Sequence, residues 1–183
     1  MIPNSLDEAV KVMRPFIEQG KLVLEEISDG DFMPMCFIFS DARGMDMLPL
    51  DFRSEETKDK MAELIRRSAV MMQAYGLWGL MMMADSRYRE LDVDFACRAF
   101  GLTPELLKAR IEKDPSLLSQ VSKVRECLLI TIETYVGDRS ERLFYRRLPN
   151  GIIWEAPETF ALGPVEGRFV NMLPPPPRSG GQA

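Results

Sequence analysis

The sequence contains no histidine among its 183 residues. Without histidine there is no Ser-His-Asp or Cys-His catalytic arrangement and no histidine-ligated zinc or iron. The chain also lacks the one side chain whose ordinary pKa places its charge change near neutral pH. This absence excludes the commonest forms of nucleophilic, metal-assisted and general acid–base catalysis.

Cysteine is scarce, and no long apolar run is present. Cys36, Cys97 and Cys127 form no CxxC pair, and Cys36 and Cys127 lie inside apolar stretches, where cysteine behaves as a small buried hydrophobe. This usage favours a reducing compartment. The longest apolar stretch, residues 76–84, is far shorter than the roughly 20 residues of a membrane span, and no signal peptide is visible. We therefore expect a soluble protein, cytoplasmic or within an assembled particle, that does not bind membranes.

The chain has no excess of basic residues. Its net charge is −5, and residues 1–60 carry 13 acids against 7 bases. Binding to a phosphate backbone needs a surplus of Lys and Arg on one face, so direct contact with nucleic acid is not expected. The acidic first third is interpreted as a solvated surface, with contact to a basic partner as the alternative.

Helical patterns occur in three parts of the chain. Ser5 begins a capping box for a first helix, which we expect to end at Gly20. Because Pro15 lies inside the pattern, a kink or break is expected near Met13, and an extended segment is predicted over 21–27. Ser54 caps the strongest amphipathic pattern, predicting a long helix over 54–74. A helical insertion is predicted over about 90–120.

The remaining apolar runs are short and separated by turn residues, which is typical of strands. Pro49 places one of these strands at a sheet edge or at a bulge. The all-apolar run 75–84 indicates a strand covered on both faces, with a loop after Ala84. The fold class predicted is α+β: a two-layer sandwich with a mixed, largely antiparallel sheet of about five to six strands, packed by the N-terminal helix and helix 54–74. Strands are predicted over 35–40, 45–52, 75–84, 126–136, 142–148 and 152–154.

The composition changes at Pro157. Residues 157–183 contain six prolines and four glycines, four of the prolines in a row, which favours an extended polyproline II conformation. We therefore predict a single domain over 1–156 and a C-terminal arm over 157–183 that lies outside the core. The predicted partner-binding residues of this arm are Phe160, Leu162, Phe169, Met172, Leu173, Pro174, Pro175, Pro176, Pro177 and Arg178.

Besides the arm, three patterns were weighed as chemical or binding sites, and each has a structural explanation that we prefer. Aspartates could bind a divalent metal, but no DxDxDG loop accompanies them. Residues 95–107 have the spacing of a helix-turn-helix, but a simple αα-corner is favoured. The methionines of segments 71–72 and 81–83 are assigned to the core. No glycine-rich phosphate loop is present, and neither a cofactor nor a metal is expected. The aspartates are Asp41, Asp46, Asp51, Asp85, Asp92 and Asp94.

Two functions of different classes follow from these observations. The first is a non-enzymatic structural protein that acts in a larger assembly through its arm, binding protein partners or copies of itself. A viral particle component, capsid-associated or a connector, is one concrete form. The alternative is a small enzyme or nucleotide-binding regulator whose site lies on the loops after Ser40 and Ala84. Its residues would be Asp41, Arg43, Asp85, Arg87 and Arg89.

Overall fold

The structure is a computed structural model that describes residues 2–27, 32–117, 121–160, 169 and 171–176. Within these residues four α-helices and seven strands are formed, and all strands belong to one sheet. The helices are α1 (Leu6–Glu26), α2 (Glu55–Met72), α3 (Val93–Phe100) and α4 (Pro104–Lys113). The strands are β1 (Met35–Ser40), β2 (Gly44–Pro49), β3 (Leu77–Leu91), β4 (Ser122–Thr134), β5 (Gly137–Leu148), β6 (Gly151–Trp154) and β7 (Glu158–Phe160).

The sheet is antiparallel at every described pairing. Its order is β2-β1-β3-β4-β5-β6, and β7 also pairs with β5, beside β6. The long central pair, β3 and β4, runs in register from Gly79 opposite Thr134 to Leu91 opposite Ser122. The predicted α+β class with a largely antiparallel sheet is confirmed, as is the position of Pro49 on an edge strand.

The two long helices lie on opposite faces of the sheet. Successive residues of a strand point to opposite faces, so in β1 Phe37 packs with α1 whereas Ile38 packs with α2. The same alternation sends Met81 of β3 toward α1 and Leu80 toward α2. The β1–β3 part of the sheet thus has three layers, where a two-layer sandwich was expected. We call the two sides the α1 face and the α2 face.

Helix α1 begins where predicted but continues further. The Ser5 side chain accepts a hydrogen bond from the backbone N–H of Glu8 (3.3 Å), as a capping residue does. The helix does not break at Pro15, and the predicted end at Gly20 is wrong because the helix runs to Glu26. A Cβ at Gly20 would lie 2.9 Å from Cε of Met83. The glycine therefore permits close contact with β3, and the predicted extended segment is helical.

The insertion between β3 and β4 forms a pair of short helices, α3 and α4. Gly101 ends α3 in the left-handed conformation (φ 62°), and the Thr103 side chain caps α4. Ala96 and Leu107 are buried together with Val121. The predicted αα-corner is confirmed, whereas the strand predicted to end at Ala84 continues to Leu91.

The described C-terminal residues lie against the domain. Strand β7 pairs with β5, and Met172 is only 2% exposed in the core beneath α2. Met172 is therefore part of the hydrophobic core, which corrects the expectation that the arm contributes nothing to it. Leu162, Pro177 and Arg178, which were predicted to bind a partner, lie outside the described residues.

Candidate ligand-binding cavity

The aspartate and arginine residues of the predicted enzyme site are not brought together. The backbone N–H of Asp41 donates to the carbonyl of Gly76, just before β3 begins. Asp85 lies nine residues further along, which is roughly 30 Å along an extended strand. No loop follows Ala84, because Asp85 and Arg87 are residues of β3 itself. Arg43 lies at the β1–β2 turn, within 4.0 Å of Asp46.

Two further aspartates weighed as metal ligands, Asp51 and Asp92, have structural partners. Asp51 pairs with Arg53 (2.7 Å), which lowers its pKa to about 2 through side-chain hydrogen bonding. Asp92 caps α3 and pairs with Lys123 (2.8 Å). Within the described part of the chain, no group of three or more acidic or cysteine side chains is arranged to hold a metal ion.

A cavity of about 480 Å³ opens on the α2 face, beside the area that α2 covers. Its floor comes from three adjacent strands, because residues opposite one another in the register point to the same face. Met82 is opposite Thr131, Ala84 is opposite Leu129, and Leu129 is in turn opposite Arg142 of β5. The floor is therefore mainly apolar in the middle, with hydroxyl and guanidinium groups toward β5.

The walls of the cavity come from segments distant in sequence. Leu50 and Phe52 lie between β2 and α2, Phe160 ends β7, and Phe169 belongs to the C-terminal segment. The rings of Phe52 and Phe169 are in contact, with centroids 4.8 Å apart. The cavity has the size and predominantly apolar lining of sites that bind small organic molecules.

Arg142 is the one charged side chain among the described residues that line the cavity. Its guanidinium carbon lies 4.3 Å from the ring centroid of Tyr88 and 4.4 Å from that of Phe160. Phe160 comes from β7, on the outer side of β5, and Tyr88 reaches over β4 from the other side. Both distances are within the range of cation–π interactions.

Arg125 and Arg142 lie on the same face of the sheet but have different partners. Arg125 stacks on Phe144 (3.5 Å to the centroid) and is within 4 Å of three carboxylates. No described carboxylate lies within 4 Å of the Arg142 guanidinium, and no described group accepts a hydrogen bond from it. Arg142 is therefore a cation beside an apolar cavity, and its N–H donors have no hydrogen-bond acceptor among the described residues. The carboxylates around Arg125 belong to Glu90, Glu155 and Glu158.

Cys127 also lines the cavity but is not a reactive thiol. Burial is the main cause that raises its pKa, although the nearby Arg142 guanidinium opposes the shift. Burial likewise raises the pKa of Cys36 to about 12. Both thiols remain protonated at neutral pH and behave as the small buried hydrophobes expected from the sequence.

A buried carboxylate holds the C-terminal segment beside the cavity. Oε2 of Glu133, on β4, accepts hydrogen bonds from the backbone N–H groups of Met172 (2.7 Å) and Leu173 (3.3 Å). We call this arrangement the C-terminal clamp. It is extended by the side-chain amide of Gln73, which donates to the carbonyl of Pro175 (2.8 Å). The clamp fixes the backbone that carries Phe169.

Sequence inspection missed the cavity residues, apart from the two phenylalanines of the arm. Phe160 and Phe169 were predicted to bind a partner, which stays a prediction, and the structure places both on the cavity wall. Arg142 was assigned only to a strand. In the sequence Arg142 stands between Glu141 and Leu143, an arrangement shared by many solvent-facing strand positions, so it gave no local sign of the cavity. The methionine assignment is confirmed for three residues, whereas Met82 lines the cavity and Met71 is 66% exposed.

No family model matches the chain, and neither a curated protein nor a solved structure is detectably similar to it. Of the described helices, none combines the length and apolar character needed to cross a membrane.

Proposed function

We propose that the protein is a non-enzymatic binding protein that takes up a small, mainly apolar molecule in the cavity on the α2 face. The observation that carries this proposal is the cavity itself, about 480 Å³ in volume and lined by Met82, Leu129, Phe52 and Phe169 among others. Volumes of about 300–1,000 Å³ with apolar walls and few polar groups are typical of small-molecule sites. The free energy of binding comes mainly from removing apolar ligand surface from water.

The cavity is supported by regular structure on its floor and by the clamp on its wall. Floor residues belong to β3, β4 and β5, whose pairing is continuous across the cavity. A preformed site loses little conformational entropy when it binds a ligand. The regular support therefore favours a binding site over an accidental gap in side-chain packing.

The test uses the uncharged fluorescent probe N-phenyl-1-naphthylamine, whose emission rises in apolar surroundings. We expect saturable binding to the full chain, and strong weakening of it in Ala84→Phe, because the new ring would occupy the cavity. Ala109→Phe is the matched control, since Ala109 is exposed on α4 and should leave binding unchanged. Both variants are checked for folding by their melting temperatures.

Two results would argue against the proposal. One is the absence of saturable probe binding to the folded wild-type chain. The other is probe binding that Ala84→Phe and Ala109→Phe leave equally intact, since the probe would then be bound elsewhere.

A further inference from the structure

We propose that the ligand of this cavity is an amphipathic monoanion, a carboxylate with an alkyl or aryl body, and that Arg142 binds its carboxylate. This inference rests on the proposed function and goes beyond it by naming the ligand class. It starts from the unequal partners of the two arginines on the α2 face: three carboxylates lie within 4 Å of Arg125, and no described carboxylate lies within 4 Å of Arg142.

The aromatic neighbours of Arg142 favour a bound carboxylate. A guanidinium interacts with aromatic rings through its flat faces, and its N–H donors point outward in its own plane. Tyr88 and Phe160 lie at 4.3 and 4.4 Å from the guanidinium carbon, within the range of cation–π contacts. A guanidinium that stacks on rings keeps its in-plane donors for a carboxylate, which pairs with them through two parallel hydrogen bonds.

The lining of the cavity limits the charge of the ligand. Arg142 is the one described cation at the cavity, so a single negative charge is balanced and a second one would not be. The hydroxyls of Ser86, Thr131 and Ser140 are neighbouring polar groups on the floor. Beyond them the surface is formed by Met82, Leu129 and phenylalanine side chains, which suit a hydrocarbon body rather than a sugar or nucleotide.

Among the described residues, Glu158 is the carboxylate placed to compete for Arg142. It lies opposite Arg142 in the β5–β7 register, but its Oε1 is directed to Arg125, at 3.6 Å. Arg125 is also held by Glu155 at 2.7 Å, so moving Glu158 to Arg142 would not leave Arg125 unpaired. A ligand carboxylate therefore gains affinity only if Glu158 stays with Arg125 in solution. A preference of the wild-type chain for octanoate over octanol, measured as described next, would show that it does.

The experiment compares octanoate with 1-octanol as competitors of the bound N-phenyl-1-naphthylamine. The two have the same chain length, and without a cationic partner the carboxylate binds more weakly because it loses its hydration. We expect octanoate to bind the wild-type chain about 10- to 100-fold more tightly than octanol, as a charge-assisted hydrogen-bonded pair allows. Arg142→Gln should abolish this preference, and Arg142→Lys should keep part of it.

Arg87→Gln is the matched control, because Arg87 is exposed on the same sheet at a position that points to the α1 face. It should keep the full preference for octanoate. If octanol binds the wild-type chain as tightly as octanoate, or if Arg142→Gln keeps the preference while remaining folded, the inference is overturned. In both cases the proposed function stands as long as Ala84→Phe blocks the probe. Loss of probe binding to wild type would instead remove the proposed function.

Discussion

Glu133 is a buried acidic residue whose side chain holds the C-terminal segment against the domain. It is 8% exposed, and its Oε2 accepts two backbone hydrogen bonds from the C-terminal segment. Within the described residues its Oε1 has no hydrogen-bond partner. Burial raises the pKa of this carboxyl, and the backbone N–H groups of the clamp lower it only in part. The folded protein therefore holds the Glu133 proton more tightly than the unfolded chain does.

The raised pKa predicts how stability depends on pH. The stabilising contribution of protonated Glu133 is complete below the ordinary glutamate pKa of about 4.3 and is lost as the pH rises through the raised value. Glu133→Gln keeps an oxygen acceptor and removes this titration. We expect the unfolding free energy of wild type to fall relative to Glu133→Gln as the pH rises above about 4.3, measured by urea unfolding.

Glu112→Gln is the control for this measurement, because Glu112 is exposed on α4. Its difference from wild type should show no such trend. A wild-type stability that rises relative to Glu133→Gln over the same pH range would contradict the assignment of the raised pKa.

The starts of the helices were easier to predict than their ends. Ser5, Ser54 and Thr103 each accept a hydrogen bond from the backbone of the following turn, so the signal and its partner lie within four residues. The end of α1 depends on contacts with other elements. Gly20 has the composition of a helix end, but its role is to let α1 approach Met83 on β3. A single sequence does not show that a strand about 60 residues away requires this space.

A prediction at the scale of the element follows from this contact. In Gly20→Leu the new side chain would meet Met83 and Leu128, forcing α1 away from the sheet. We expect a loss of about 1–3 kcal/mol in the free energy of unfolding, as overpacked cores show. Gln19→Leu, one position earlier and exposed, should change it by no more than about 0.5 kcal/mol. Equal stability of the two variants in denaturant unfolding would show that Gly20 is not a tight contact.

The cavity could not be predicted from the sequence, because it is built from segments that are distant from one another along the chain. Its floor is assembled from β3, β4 and β5 through their register, and its described walls come from Leu50, Phe52, Phe160 and Phe169. The fold class could be predicted because periodicity and turn residues are local. The cavity could not be predicted, because the role of Arg142 depends on its contacts with Tyr88 and Phe160. These two residues are distant from each other in the sequence and are brought together by long-range strand pairing.

Assembly through the C-terminal arm, including a capsid-associated or connector role, stays a prediction. The structure changes how that prediction must be tested. Removing residues 157–183 would also remove β7, the clamp and the buried Met172, so the shortened chain would lose part of its own core. A loss of assembly would then have two explanations, and only a truncation that keeps these contacts separates them.

We therefore predict different stabilities for two truncations. A chain ending at Ala156 should unfold with a free energy lower by about 2–5 kcal/mol, because losing Met172 alone is comparable to a large-to-small core substitution. A chain ending at Pro176 keeps β7, the clamp and the hydrogen bond from Gln73 to Pro175, and should stay close to wild type. Denaturant unfolding measures both, and light scattering then compares the oligomeric state of the Pro176 chain with that of the full chain. If the chain ending at Ala156 is as stable as the full chain, Met172 and the clamp contribute nothing to stability. Removal of residues 157–183 would then test assembly without also weakening the fold.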